Sequence, residues 1–187
     1  TFRRGLMNKC NQENLSQKPY QQNLNDDFER AASWVVSHSS SINNDDRTTL
    51  TQIAGVMRNA DQSGRALSSI HAFRQLHQDA GLPSGTTRWG ATQVNALFFT
   101  GPIAGRRFQE TVFDGGRAIG NMPHGPEGGV KWYDIALYLM LGNIVAHGFP
   151  DGNGRVCRMY YACILIANGM PLIVPEYRWV LNETTEQ

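Results

Sequence analysis

The segment His147-Gly148-Phe149-Pro150-Asp151-Gly152-Asn153-Gly154-Arg155-Val156-Cys157-Arg158 gathers a titratable base, a carboxylate, several glycines and two guanidinium groups. A glycine-bearing loop that opens a helix leaves backbone N–H groups unpaired, and with the positive end of the helix dipole these donors make an anion site. Phosphate is the natural guest. Arg155 and Arg158 stand at i, i+3, share a side of the first helical turn, and can grip successive phosphates of a polyphosphate. Asp151 offers the hard oxygen that magnesium prefers when a carboxylate shares the ion with substrate phosphates. His147, with an ordinary pKa of about 6.5, is in good part neutral near pH 7 and able to take a proton from an incoming hydroxyl. Singly, each residue has an ordinary structural role: a His as a cap, an Asp before Gly-Asn-Gly as a turn former, two Arg as a solvated face. Phe149 is best read as a structural anchor holding the loop against the core. Together the residues specify a site for in-line attack on a nucleotide phosphate.

The elements that must hold this segment are helical. Lys131 to Ala146 is apolar on nearly every side and is expected to be a buried helix, the central one of the core. A second such helix is expected from about Asn153 to Ala167, stopping at Asn168-Gly169-Met170-Pro171. Upstream, Asn25 to Ser37 reads as a helix capped by Asn25 or Asp26, with Phe28, Ala31, Val35 and Val36 on one side. Leu50, Ile53, Ala54 and Met57 mark an amphipathic helix, and Leu67, Ile70 and Phe73 mark another from about Arg65 to Ala80. Short helices are expected over Val94 to Phe99 and after Pro175. Gly101 to Gly129 holds eight glycines with Pro102, Pro123 and Pro126, which predicts a long functional loop. Within it Arg106, Arg107, Phe108, Gln109, Glu110, Thr111, Val112 and Phe113, followed by Asp114-Gly115-Gly116, read as a small β-hairpin with an extended edge. Residues 1–24 are polar and are expected to form a loosely ordered lead-in, with 25–187 expected to form one domain.

The twelve-residue segment resembles the Fic family motif H-x-F-x-[D/E]-G-N-G-R-x-x-R at every defined position, and the resemblance extends from roughly Leu50 to Met170. It implies a mainly α-helical Fic fold, a bundle around two apolar core helices with a β-hairpin flap, whose extended edge, here Arg106 to Phe113, would dock the target segment. It implies transfer of a nucleoside monophosphate, usually AMP from ATP, to a Ser, Thr or Tyr hydroxyl of a target protein, a host small GTPase being one candidate. The implied roles are His147 as general base, Asp151 as Mg2+ ligand, and Gly152, Asn153 and Gly154 as the anion hole for the inner phosphates. Arg155 would contact those phosphates and Arg158 the terminal one. Phosphate-transferring relatives carry Lys at the motif's second Gly, here Gly154, so the resemblance favours nucleotidyl transfer. Many relatives also carry an inhibitory helix with Ser or Thr four residues before a Glu. The seven glutamates here follow Lys9, Asn25, Arg106, Pro123, Leu172, Trp179 and Asn182 at that spacing, and none fits. The inhibitor is then a separate protein, a part outside this sequence, or absent, as in effector domains delivered into a host cytosol.

Composition narrows the remaining classes. With 187 residues, 41% hydrophobic and 18% charged, the chain is apolar enough to fold around one core. Lys+Arg 17 against Asp+Glu 16, without a run of like charges, disfavours a nucleic-acid or anionic-membrane binder. No apolar stretch is long enough to span a bilayer. Cys10, Cys157 and Cys163 form no disulfide framework and suit a reducing, cytoplasmic compartment, and the five histidines lack zinc-site spacing. Two other functions remain open: a binding module with a vestigial nucleotide site, and a bacterial toxin of the same chemistry acting on an endogenous enzyme.

Overall fold

A computed structural model describes residues 23–38, 47–62, 69–82, 102–123 and 130–175, and among these the secondary structure is helical throughout. The first helix, α1 (Leu24–Ser37), carries Asp26 and Asp27 in its first turn and buries Phe28, Ala31, Ala32, Trp34, Val35 and Val36. Its N-cap is Asn23, not Asn25 or Asp26; the Asn23 amide donates to the Asp26 carboxylate at 2.6 Å instead of capping a backbone N–H. In α2 (Arg47–Gln62), Ile53, Ala54 and Met57 are buried as their spacing requires.

The third helix, α3 (Ile70–Asp79), is shorter than its apolar pattern suggests because Ser69 intervenes as an N-cap, its hydroxyl accepting the Ala72 N–H at 3.1 Å. It stops at Gly81, whose φ of 68° is the left-handed conformation that ends helices. It is followed by α4 (Pro102–Asn121), α5 (Val130–Ala146) and α6 (Asn153–Ala167). Gly169 ends α6 with φ 70°, its N–H bonding to Ile166 while the Met170 N–H bonds to Leu165, a Schellman closure.

Two expectations are corrected. Arg106 to Phe113 lie in α4 and form no hairpin. Gly105, Gln109, Val112, Phe113 and Gly116 are buried and Arg106, Arg107, Glu110 and Thr111 are exposed, a 3.6-residue period instead of alternation. Gly116, which suggested a turn, serves helix contact: a Cβ on it would lie 2.8 Å from Leu139 Cδ2 on α5, and from the other side one on Gly142 of α5 would lie 2.5 Å from Val112 Cγ1. The backbones of α4 and α5 therefore approach where a side chain would hold them apart.

The second correction concerns the centre of the bundle. It is α6, not α5, that packs against α1, α2, α3 and α5, while α5 is shared between α4 and α6 and leaves Leu137 and Tyr138 each 39% exposed. From Val156 to Ile166 every residue of α6 is buried. Phe73 of α3 and Phe113 of α4 meet Tyr160 of α6 with ring centroids 5.2 and 6.2 Å away. After α6, the Pro171 and Ile173 carbonyls accept hydrogen bonds from Tyr133 and Tyr161, each at 2.7 Å, fastening that segment to the core. Residues 1–22, the expected helix over Val94 to Phe99, and the one after Pro175 lie outside the described residues.

Candidate active site

His147 sits immediately after α5, and its φ of 46° makes it the one non-glycine residue with positive φ among the described residues. Its N–H donates to the Asn143 carbonyl at 3.0 Å, so it ends the helix in the left-handed conformation usually given to glycine. Asn143 is held in turn. Its side-chain carbonyl accepts from the Gln109 amide at 2.9 Å, its own amide donates to the Leu139 carbonyl at 2.8 Å, and both side chains are buried. Arg74 donates to the Gln109 carbonyl at 3.3 Å. Gln109, expected on a docking edge, instead braces the end of the helix that carries His147.

The loop from His147 to Gly152 is closed by Asn153. The Asn153 amide donates to the Phe149 carbonyl at 2.7 Å, and its side-chain oxygen accepts the Phe149 N–H at 2.9 Å. That pair fixes the Asn153 side chain against the Phe149 main chain and turns its backbone, not its carbonyl oxygen, to the helix terminus. Gly152 is the N-cap of α6, with φ 78° and no side-chain cap; the first helical bond runs from the Val156 N–H to the Gly152 carbonyl at 2.9 Å. No L-residue suits Gly152, both for its φ and because a Cβ would fall 2.6 Å from Leu82 Cδ1.

Around this uncapped terminus the charged groups are graded by burial. The Asp151 carboxylate is 60% exposed and paired with Arg155 at 3.3 Å, Arg155 is 19% exposed, and Arg158 is buried. The Arg158 guanidinium lies under Gly154, where a Cβ would stand 3.2 Å from Nη1. Cys157, between the two arginines, is fully buried, and burial pushes its thiol well above the ordinary range, so it is no nucleophile.

His77 is the group that local sequence reasoning missed. Its ring is wholly buried and stacks on Phe149, with centroids 3.6 Å apart and planes 5° from parallel. Its Nε2 lies 2.8 Å from the Asp151 carbonyl, which can only accept, so the proton is on Nε2. Burial holds the imidazole below its ordinary pKa against the opposing pull of that carbonyl, and the Arg155 charge pushes the same way as burial. A His four residues after Phe73, on the buried stripe of α3, is the signal for it, but nothing local says what it touches.

Over 145 residues the sequence is 26% identical to the protein adenylyltransferase VopS of Vibrio parahaemolyticus serotype O3:K6 (strain RIMD 2210633). The chain is similar to a protein adenylyltransferase. The match takes in 78% of this chain and 34% of that protein, so the chain spans about a third of its relative's length. No family model and no solved structure matches the chain. The likeness agrees with the activity that the His147–Arg158 motif implies, and the helical bundle agrees with the expected fold class.

Proposed function

We propose that this chain transfers AMP from ATP to a hydroxyl side chain of a target protein and releases pyrophosphate. The observation that carries the proposal is the uncapped, glycine-opened N-terminus of α6, which has Arg155 in its first turn, buried Arg158 in its second, and His147 at the head of the six-residue connection from α5. Backbone N–H groups of Gly152, Asn153 and Gly154 supply the donors for the inner phosphates. Arg155 neutralises charge there, and Arg158, about one turn further along, meets the terminal phosphate. The neutral imidazole of His147 takes the proton of the target hydroxyl as its oxygen bonds to the α-phosphorus. The bond from that phosphorus to the bridging oxygen then breaks and the electron pair leaves with pyrophosphate.

The residues fit magnesium. One surface carboxylate, Asp151, beside a phosphate-binding helix terminus is the donor set that this ion accepts together with substrate oxygens and water. Bound there, it would screen the phosphate charge as the pyrophosphate leaves. The similarity to a protein adenylyltransferase supports AMP over other nucleotides.

The test is intact-mass spectrometry of the chain and of candidate acceptor proteins after incubation with ATP and magnesium. A mass gain of one adenylyl group that is lost in His147→Asn is the expected result. Tight ATP binding with neither self-modification nor acceptor modification would instead indicate a nucleotide-binding module.

A further inference from the structure

The last turn of α3 and the residues just after it reach the proposed phosphate-binding loop at three points. His77 stacks on the Phe149 ring, its Nε2–H donates to the Asp151 carbonyl, and Leu82 lies against the Cα of Gly152. These contacts join residues more than sixty positions apart and fall on the loop between His147 and α6.

We propose that His77 is a positioning residue for this loop: its ring sets the Phe149 side chain and its Nε2–H sets the Asp151 main chain, so that the α6 N-terminus is formed before nucleotide arrives. The inference rests on the adenylyl-transfer function proposed above. The chemistry of the site argues for more than packing. The His77 ring is wholly buried, yet its Nδ1 has no hydrogen-bond partner. A phenyl ring would fill the same place and stack on Phe149 without burying an unpartnered nitrogen, which is unfavourable. What the imidazole adds over phenyl is the bond to Asp151. That bond fixes the backbone of a residue whose side chain is otherwise at the surface and held by Arg155.

His77→Phe and His77→Gln separate the two functions, since Phe keeps the stack without the donor and Gln keeps a donor without the ring. Amide hydrogen exchange of the nucleotide-free chain reads the loop directly and needs no catalytic activity. In H77F, exchange at residues 148–155 is expected to rise about fivefold, the size of one lost hydrogen bond, while the urea midpoint and the exchange of residues 159–166 stay at parental values. The magnesium concentration for half-maximal ATP binding, measured by calorimetry, should rise by a similar factor, and H77Q should recover part of it. If H77F does not fold, His77→Leu, smaller than the native ring, takes its place in the same measurements. Parental exchange across 148–155, or exchange raised equally in loop and core, would overturn the proposal. If the parent chain transfers no adenylyl group, the functional proposal fails, while the exchange result still decides whether His77 orders the loop.

Discussion

The guanidinium of Arg158 is roofed by Gly154: a methyl group there would stand 3.2 Å from Nη1, closer than side chains ordinarily tolerate. Arg158 is 7% exposed and has little room to withdraw. Gly154→Ala is therefore expected to shift the guanidinium and weaken ATP binding several-fold, with AMP binding less affected. Alanine's better helix propensity, at most about 1 kcal/mol, offsets that crowding in part, so urea unfolding should find the variant within about 1 kcal/mol of the parent. Equal losses for ATP and AMP would place Arg158 away from the terminal phosphate.

His147 combines a strained backbone with the proposed proton acceptor. His147→Ala, His147→Asn and His147→Gly should each reduce adenylyl transfer by about 10²–10⁴-fold, since none supplies a base. Their stabilities should divide differently. Glycine adopts positive φ without a Cβ penalty and asparagine tolerates it, so Ala should be the least stable of the three, by about 1 kcal/mol against Gly. Urea unfolding checks the order, and a transfer loss below tenfold in all three would mean that another group takes the proton.

Asp151 and Arg155 hold each other at 3.3 Å, so under the proposed function nucleotide and magnesium would meet a pair that must exchange partners. Asp151→Asn breaks an ion pair with one side largely in solvent, which costs less than about 1 kcal/mol. Thermal stability should hardly move. Calorimetry in zero and excess magnesium should find that the ion no longer strengthens ATP binding, whereas a parental magnesium effect would assign the ion to other ligands.

Much of this architecture was legible because the decisive patterns are local. Both apolar helices, α5 and α6, lie where the hydrophobic runs and the bracketing glycines placed them. Which of the two is innermost was not legible, because a run that is apolar on all sides does not state how many neighbours surround it. In the event α6, with its Arg and Tyr residues, is the more enclosed. Residues 106–113 misled because Asp114-Gly115 carries turn chemistry, and the helical period becomes evident only when Gly105 and Gly116 are counted as buried positions. The His147–Arg158 segment could be read because it is contiguous. His77, Gln109 and Asn143 could not, because what they hold together is distant in the chain.

That correction is itself testable. Gly142→Ala would press a methyl against Val112 at the closest approach of α4 and α5. Overpacking of this kind destabilises by about 1–3 kcal/mol. Val112→Ala in the same chain should relieve part of the loss, which a double-mutant cycle in urea detects as a coupling energy. Strictly additive effects would show that the two helices do not meet there.

The helix whose N-terminus is the proposed phosphate site is also the bundle's hydrophobic axis, and it follows in sequence four helices that lie around it, α1, α2, α3 and α5. During synthesis those helices leave the ribosome with an apolar hollow where α6 will stand. A nascent chain halted before residue 153 lacks the helix that fills its core, and its exposed apolar surface is of the kind that chaperones bind or that seeds aggregation. One segment, residues 153–167, therefore completes both the core and the proposed phosphate site.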